Sequence, residues 1–237
     1  MRKTPAERRA FVLEQTQLAG VPLVPELRVY QARAVNAVWF ETARWLERDD
    51  ADVPFWCVPW AGGQALARYL LDHPELVRGA RVLDFACGGG VVGIAAARVG
   101  ARVCAVDIDP LARTATELAA EANGVTLEVT TRDVVGAPLP DVDVLLAGDV
   151  WYERAPAARF RRWFERLAGR GLTILTSDAG RHYAPRRARE LARYEVPTPF
   201  DLEAAATRMT RVLAIEPPAP VPSHDDVPDP APSCQNG

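Results

Sequence analysis

The sequence is almost devoid of lysine: among its 28 lysine and arginine residues, Lys3 is the only lysine. A catalytic Tyr-x-x-x-Lys pair, as found in one class of nicotinamide-dependent oxidoreductases, is therefore excluded. The preference for arginine, together with abundant alanine and proline, is typical of GC-rich coding DNA. We therefore expect a bacterial source.

Paired cysteines and metal-ligand patterns are also missing. The four cysteines form no C-x-x-C pair, and none has a histidine nearby at metal-ligand spacing; they are Cys57, Cys87, Cys104 and Cys234. This pattern predicts reduced thiols in a cytoplasmic protein and no metal site.

Long apolar runs and a basic surplus are absent as well. No run reaches 18 apolar residues, and the N-terminus is polar and charged, without the apolar core of a signal peptide. The formal net charge is -3. We therefore expect a soluble, intracellular protein that binds neither membranes nor DNA.

Length and patterning predict one α/β domain with additions at both ends. Residues 1–53 are predicted as an N-terminal helical extension, residues 54–215 as the main domain and residues 216–237 as a disordered tail. The extension should begin with a capped helix from Pro5 to about Ala19, followed by an extended linker over 21–25. The tail contains seven prolines and no apolar periodicity.

The stretch over residues 82–109 organises the main domain. An apolar strand ending at Phe85 leads into a Gly-rich turn over 88–90, an Ala-rich helix over 91–99 and a second strand over 102–106. Glycines at such a turn let the backbone approach a ligand closely, although they could also serve tight packing alone.

The residues around this turn predict a site for an adenosyl cofactor. Gly88-x-Gly90-x-x-Gly93 satisfies a dinucleotide-binding pattern, and Asp107 lies where a carboxylate can accept hydrogen bonds from a ribose diol. Asp84, at the end of the first strand, favours a cofactor that carries an ammonium and a sulfonium. A pyrophosphate would be repelled by it.

Strands and helices alternate through the rest of the domain. We predict strands near 126–130, 143–147, 172–176, 194–196 and 207–215, with a helix from Pro156 and another from Pro185. This order predicts a doubly wound, seven-stranded, mostly parallel α/β sheet. Acids that follow strand ends should collect at one edge of it: Asp84, Asp107, Asp133, Asp149 and Asp178.

Two motifs resemble those of seven-strand (class I) S-adenosylmethionine-dependent methyltransferases. The run Asp84–Gly90 resembles motif I, an acid followed by G-x-G-x-G, except that Ala86 stands where glycine is usual. Asp149-Val150-Trp151-Tyr152 matches the D-x-x-Y/F motif of the protein methyltransferases in this class.

Further runs resemble the lysine methyltransferases of the electron-transfer flavoprotein β-subunit. The similarity covers roughly residues 20–215, and the runs that carry it are 60–72, 107–110, 148–153 and 178–181. The last run has Ala179 where this family commonly has proline. Residues 54–215 would then be an S-adenosylmethionine-dependent methyltransferase domain.

The resemblance implies S-adenosyl-L-methionine as the cofactor and a protein lysine as the methyl acceptor. It places Asp149 and Tyr152 in catalysis, with Asp149 orienting the amine and Tyr152 lining the acceptor channel. The cofactor would be held by Trp60, Asp84, Ala86, Gly88, Gly90, Asp107, Ile108, Asp133, Val134 and Gly148.

Three of these residues have a second interpretation. Trp60 either stacks on the cofactor or plugs the end of the sheet, and Asp133 either receives the adenine amino group or is a loop residue. Asp149 could instead cap the segment after the fourth strand of the sheet.

Several functions stay open at this stage. The first is lysine methylation of a protein such as the electron-transfer flavoprotein β-subunit or a ribosomal protein. The second is N-methylation of a small molecule such as nicotinamide. An NAD-dependent oxidoreductase or a non-catalytic nucleotide-binding module is the third.

Overall fold

The computed structural model describes residues 3–198 and 205–217. Its strands are β1 (Gln17–Val21), β2 (Val24–Gln31), β3 (Arg81–Phe85), β4 (Arg102–Val106), β5 (Glu128–Thr130), β6 (Val144–Ala147), β7 (Thr173–Asp178), β8 (Ala188–Pro197) and β9 (Thr207–Ile215). Its α-helices are α1 (Pro5–Gln15), α2 (Val35–Leu46), α3 (Ala61–Asp72), α4 (Val91–Arg98), α5 (Pro110–Asn123) and α6 (Arg154–Ala168). Two short 3₁₀ turns cover Phe55–Cys57 and Pro74–Leu76.

Seven strands form one sheet in the order β5-β4-β3-β6-β7-β9-β8. Strands β3 to β7 are parallel, and β9 runs antiparallel to both of its neighbours. The predicted doubly wound, mostly parallel sheet is thereby confirmed. The strand order reverses between β3 and β6, so the turn after β3 lies at the crevice where such sheets bind ligands.

Apolar side chains from both faces of the sheet form two cores. One core packs α3 and α4 on the sheet, and the other packs α6 on the opposite face. Neighbouring residues of β7 illustrate the alternation: Leu175 belongs to the first core and Ile174 to the second. Both faces of the sheet are therefore covered. The ends of the strands remain as the place where a ligand can approach.

The N-terminal extension differs from the prediction. Helix α1 ends at Gln15 instead of Ala19, and the predicted linker forms the turn of the β1–β2 hairpin. Val24, Leu27 and Val29 of β2 are buried against α4 and α5. Long-range burial of alternating residues thus selects a hairpin where local composition favoured a longer helix, and the extension is not purely helical.

The predicted helix from Pro185 is also wrong, since β8 begins at Ala188 and pairs along its length with β9. The nine-residue strand β9 is the partner of β8. Local propensity does not reveal that such a partner is available. The predicted tail lies outside the described residues apart from Glu216 and Pro217. In the described ranges, no helix has the length and apolar character to cross a bilayer.

Candidate active site

The turn between β3 and α4 has a strained and closely packed backbone. Ala86, Gly88 and Gly90 all have positive φ angles, of 55°, 53° and 85°. A Cβ on Gly89 would lie 2.6 Å from the carbonyl oxygen of Trp56. The segment Phe55–Cys57 therefore rests directly on this turn, which only glycine permits at position 89.

Asp84 ties the turn to the start of α4. Its side chain is buried, and a carboxylate oxygen accepts a hydrogen bond of 2.8 Å from the backbone N–H of Gly93. A Cβ on Gly93 would lie 2.7 Å from the same carboxylate, so the third glycine of the pattern makes room for Asp84. Burial raises the pKa of Asp84 to about 7.

Asp107 joins the loop after β4 to the Gly-rich turn. Its carboxylate accepts hydrogen bonds from the backbone N–H groups of Gly88 (2.9 Å) and Asp109 (3.0 Å). Burial raises its pKa, an effect that these backbone donors oppose. The adjacent Ile108 side chain is 75% exposed and presents an apolar surface beside this carboxylate.

Asp133 and Val134 lie farther along the same edge. Asp133 is exposed, accepts a hydrogen bond from the N–H of Val135, and pairs with Arg159 at 3.0 Å. Both contacts lower the pKa of Asp133, and the hydrogen bond from Val135 has the larger effect. Val134 packs against the core beneath α6. Adenine recognition by Asp133 stays a prediction, and a ligand would have to share this carboxylate with Arg159.

Asp149 extends from the end of β6 to the N-terminus of α3. Its Oδ2 atom accepts hydrogen bonds from the backbone N–H groups of Gly62 (2.5 Å) and Gly63 (3.1 Å). The N-cap residue of α3, Trp60, makes no side-chain capping bond, so Asp149 takes this role from a distant strand. The helix N-terminus stabilises the negative charge of the carboxylate.

Two glycines allow β6, β7 and α3 to meet here. A Cβ on Gly62 would lie 2.4 Å from Ser177 Oγ and 2.6 Å from Asp149 Oδ2, and one on Gly148 would lie 3.3 Å from Gly63 Cα. The Ser177 hydroxyl is buried and has no hydrogen-bond partner among the described residues. No sequence pattern indicates that Gly62 and Ser177 meet, because their closeness depends on how α3 packs.

Three aromatic rings are in contact near the end of β6. Phe55 contacts Trp60 (ring centroids 5.9 Å apart) on one side and Tyr152 (5.2 Å) on the other. The indole N–H of Trp60 donates a hydrogen bond of 2.9 Å to the carbonyl oxygen of Phe55, which fixes the two residues together. No sequence motif indicates this position of Phe55, because its two ring partners are brought to it by the fold.

Tyr152 lies in a field of negative charge. Burial of its hydroxyl raises the pKa of Tyr152 to about 12, and nearby carboxylates add to the effect: Glu153, Asp107, Asp149 and Asp52. The hydroxyl is therefore protonated at neutral pH. It can hydrogen-bond a ligand but cannot act as a base there.

The fifth predicted acid serves the fold. The buried Asp178 accepts a hydrogen bond from the N–H of Arg181 and pairs with Arg211 of β9 at 2.6 Å. The structure thus brings Asp84, Asp107 and Asp149 together around the Gly-rich turn, whereas Asp133 and Asp178 are held by arginines at its flanks. No metal-binding cluster of His, Cys, Asp or Glu occurs in the part of the chain that the structure describes.

Comparison with known proteins adds to this geometry. The electron transfer flavoprotein beta subunit lysine methyltransferase of Xenopus laevis is 35% identical over 196 residues, which cover 79% of this chain and 78% of the relative. The Danio rerio protein of the same name is 34% identical over 196 residues, covering 79% and 75%. The chain belongs to this methyltransferase family.

Two further comparisons agree with this assignment. The family model of ribosomal protein L11 methyltransferase (PrmA) matches residues 65–148 of the methyltransferase. The solved structure of magnesium protoporphyrin IX methyltransferase from Synechocystis PCC 6803 with bound SAH aligns with a TM-score of 0.50 at 19% identity, covering 75% of this chain and 94% of that one. The similarity to this solved structure supports the fold alone.

The cofactor of this enzyme is S-adenosyl-L-methionine, and the residues present fit it. The close-packed Gly-rich turn provides backbone without side chains, and the Asp107 carboxylate lies beside it at the end of β4. The exposed Ile108 offers an apolar surface for an aromatic base. Asp84 supplies a carboxylate behind the turn, which suits a positively charged cofactor.

Proposed function

We propose that this methyltransferase transfers a methyl group to lysine side chains of a protein. The observation that carries the proposal is the Asp149 carboxylate, which is held by the N-terminus of α3 and acts through its charge on the exposed residue Tyr152. A fixed carboxylate beside an aromatic surface suits an ammonium group on an aliphatic chain. The names of the Xenopus laevis and Danio rerio relatives point to the same acceptor.

In the proposed reaction the cofactor supplies an electrophilic methyl group. A lysine amine, with a free pKa of about 10.4, arrives as a cation and must lose a proton before it can attack. Asp149 attracts and orients this cation, because its charge is stabilised by two backbone donors. Tyr152 lines the path of the acceptor, and the released proton leaves through water. Holding the amine in line with the methyl group supplies much of the rate.

The protein substrate is proposed from the relatives. The electron-transfer flavoprotein β-subunit is the first candidate, and a ribosomal protein is the second, as the name of the matching family model suggests. Membership of a methyltransferase family argues against the NAD-dependent oxidoreductase and the non-catalytic module. A small-molecule acceptor such as nicotinamide is an outcome that the experiment below would reveal.

We also propose that the enzyme acts in the cytoplasm of a bacterium. Cys57, Cys87 and Cys104 are free thiols in the structure, which is consistent with a reducing compartment. The arginine-rich, lysine-poor composition supports the bacterial source.

The test is to incubate the full-length enzyme with methyl-labelled S-adenosylmethionine and a lysate of its own organism. We expect a labelled protein whose digest contains methylated lysine by mass spectrometry. The Asp149→Asn enzyme, matched for S-adenosylhomocysteine affinity, should label it far less. Label that appears only in small molecules would overturn the lysine proposal.

A further inference from the structure

The row of rings formed by Phe55, Trp60 and Tyr152 is exposed at the edge of the sheet. Phe55 is 37% exposed and Tyr152 45%, although both are large aromatic residues in contact with each other. The hydrogen bond between the Trp60 indole and the Phe55 carbonyl group holds Phe55 in place without covering its ring. The row therefore presents ordered aromatic surface to whatever enters the site.

Phe55 lies between the two halves of the active site. Its neighbour Trp56 rests on the Gly-rich turn through its carbonyl oxygen, while the Phe55 ring contacts Tyr152, three residues after Asp149. Phe55 thus connects the Gly-rich turn of the cofactor site to Tyr152 of the proposed acceptor site.

The charge around the rings selects for a cation. Carboxylates of Asp52, Asp107, Asp149 and Glu153 all act on the Tyr152 hydroxyl through their charge. The charge of Asp52 also acts on the guanidinium group of Arg48, which offsets part of this negative field. Aromatic faces attract cations through the ring quadrupole, and they do so most strongly for weakly hydrated quaternary ammonium groups.

We infer that Phe55 is a specificity-determining residue that binds the ammonium end of the acceptor through its ring, together with Tyr152. This inference rests on the proposed function and deepens it, because it assigns the preference for a cationic over a neutral acceptor to a residue outside the D-x-x-Y motif. Each methyl group added to an amine lowers its hydration and strengthens this contact. The rings would therefore bind the methylated amine at least as tightly as the unmodified amine.

The experiment uses two small probes and the full-length protein saturated with S-adenosylhomocysteine. Choline carries a quaternary ammonium group, and 3,3-dimethylbutan-1-ol is its neutral isostere of nearly equal shape. Titrations followed by the NMR signals of the probes' methyl groups give both affinities. We expect choline to bind about two- to thirty-fold more tightly than the isostere.

Variants of Phe55 identify the ring responsible. Phe55→Leu keeps an apolar side chain but should abolish most of this selectivity, whereas Phe55→Tyr should retain it. Phe40, an exposed aromatic residue of α2, provides the control Phe40→Leu, which should change nothing. A circular dichroism spectrum and a thermal unfolding midpoint like those of the wild type show that each variant is folded, independently of its S-adenosylhomocysteine affinity.

Three results would overturn the inference: equal affinity for the two probes, unchanged selectivity in Phe55→Leu, or loss of S-adenosylhomocysteine binding in that variant. The last result would assign the ring to the cofactor pocket. These outcomes do not depend on finding a protein substrate. Failure of the lysate experiment with intact choline selectivity would therefore reject the protein acceptor and keep the cation site.

Discussion

The Oδ2 atom of Asp149 lies 2.6 Å from the point that a Cβ of Gly62 would occupy. The same Oδ2 atom accepts a hydrogen bond from the Gly62 backbone N–H, so position 62 must supply a donor and have no side chain. Asp149 is consequently both the cap of α3 and the carboxylate proposed to orient the acceptor.

The lack of a side chain at position 62 should matter for both activity and stability. Gly62→Ala should push the Asp149 carboxylate and the Ser177 hydroxyl aside, reducing kcat by at least about tenfold because a misplaced orienting group costs rate. Stability should fall by about 1–3 kcal/mol, as for overpacking in a core. Steady-state kinetics and denaturant unfolding measure both effects.

The neighbouring residue provides a matched control. A Cβ on Gly63 would meet nothing closer than Val92 Cγ2 at 3.9 Å, and the substitution Gly63→Ala would keep the backbone N–H that Asp149 needs. This variant should therefore retain activity. Equal activity in the two variants would show that the position of Asp149 is not critical.

Replacement of Asp149 itself should separate cofactor binding from turnover. Asp149→Asn keeps the size and the capping oxygen but removes the charge, so S-adenosylmethionine should bind nearly normally while kcat and kcat/KM for a lysine acceptor fall together. The rate of methyl transfer to a neutral acceptor such as nicotinamide should fall less. Calorimetry and methyl-transfer assays with the two acceptors test this.

Asp149→Ala is the companion variant, because it also removes the cap. It should unfold with about 1 kcal/mol less stability than Asp149→Asn. If Asp149→Asn lost cofactor affinity yet turned over normally at saturation, Asp149 would belong to the cofactor pocket.

Asp107 is predicted to bind the ribose diol of the cofactor. Asp107→Ala should weaken S-adenosylmethionine binding by about 1.5–3 kcal/mol, the range for hydrogen bonds to a charged group. Part of the lost affinity would come from the Gly-rich turn, because the backbone N–H of Gly88 would lose its hydrogen-bond acceptor. Asp107→Asn, which can still accept from Gly88, should lose less, and unchanged calorimetric affinity in a folded Asp107→Ala protein would reject the assignment.

The backbone at Ala86 is predicted to carry strain. Its φ of 55° lies in the left-handed region, where a Cβ costs about 1–2 kcal/mol. Ala86→Gly relieves this cost but adds about 0.4–1 kcal/mol of unfolded-state entropy. We expect a net change between about 0 and about +1.6 kcal/mol in the free energy of unfolding, measured by urea denaturation.

Ala97 in α4 is the control for this prediction, since it is helical and only partly buried. Ala97→Gly should lose about 1 kcal/mol, the usual cost of glycine within a helix. Destabilisation of similar size by Ala86→Gly would mean that the left-handed backbone carries no strain.

Local patterns in the sequence determined the central unit of the fold. The apolar run ending at Phe85, the glycines that follow it and the Ala-rich run after them identify strand, turn and helix from neighbouring residues alone. The acids at strand ends also followed from the sequence, because parallel strands must end at one edge. The family was identifiable from the same short runs.

Tertiary structure decided what depends on partners distant in the chain. Strands β1 and β8 form because β2 and β9 are available to pair, and no local propensity encodes that. Asp149 caps the N-terminus of α3 through Gly62, which lies 87 positions earlier in the chain, and Phe55 contacts Tyr152, which is also distant in the sequence. The sequence thus determined which chemical groups the site contains, whereas packing decided which of them contact one another, because those contacts form only when the sheet brings its strand ends together.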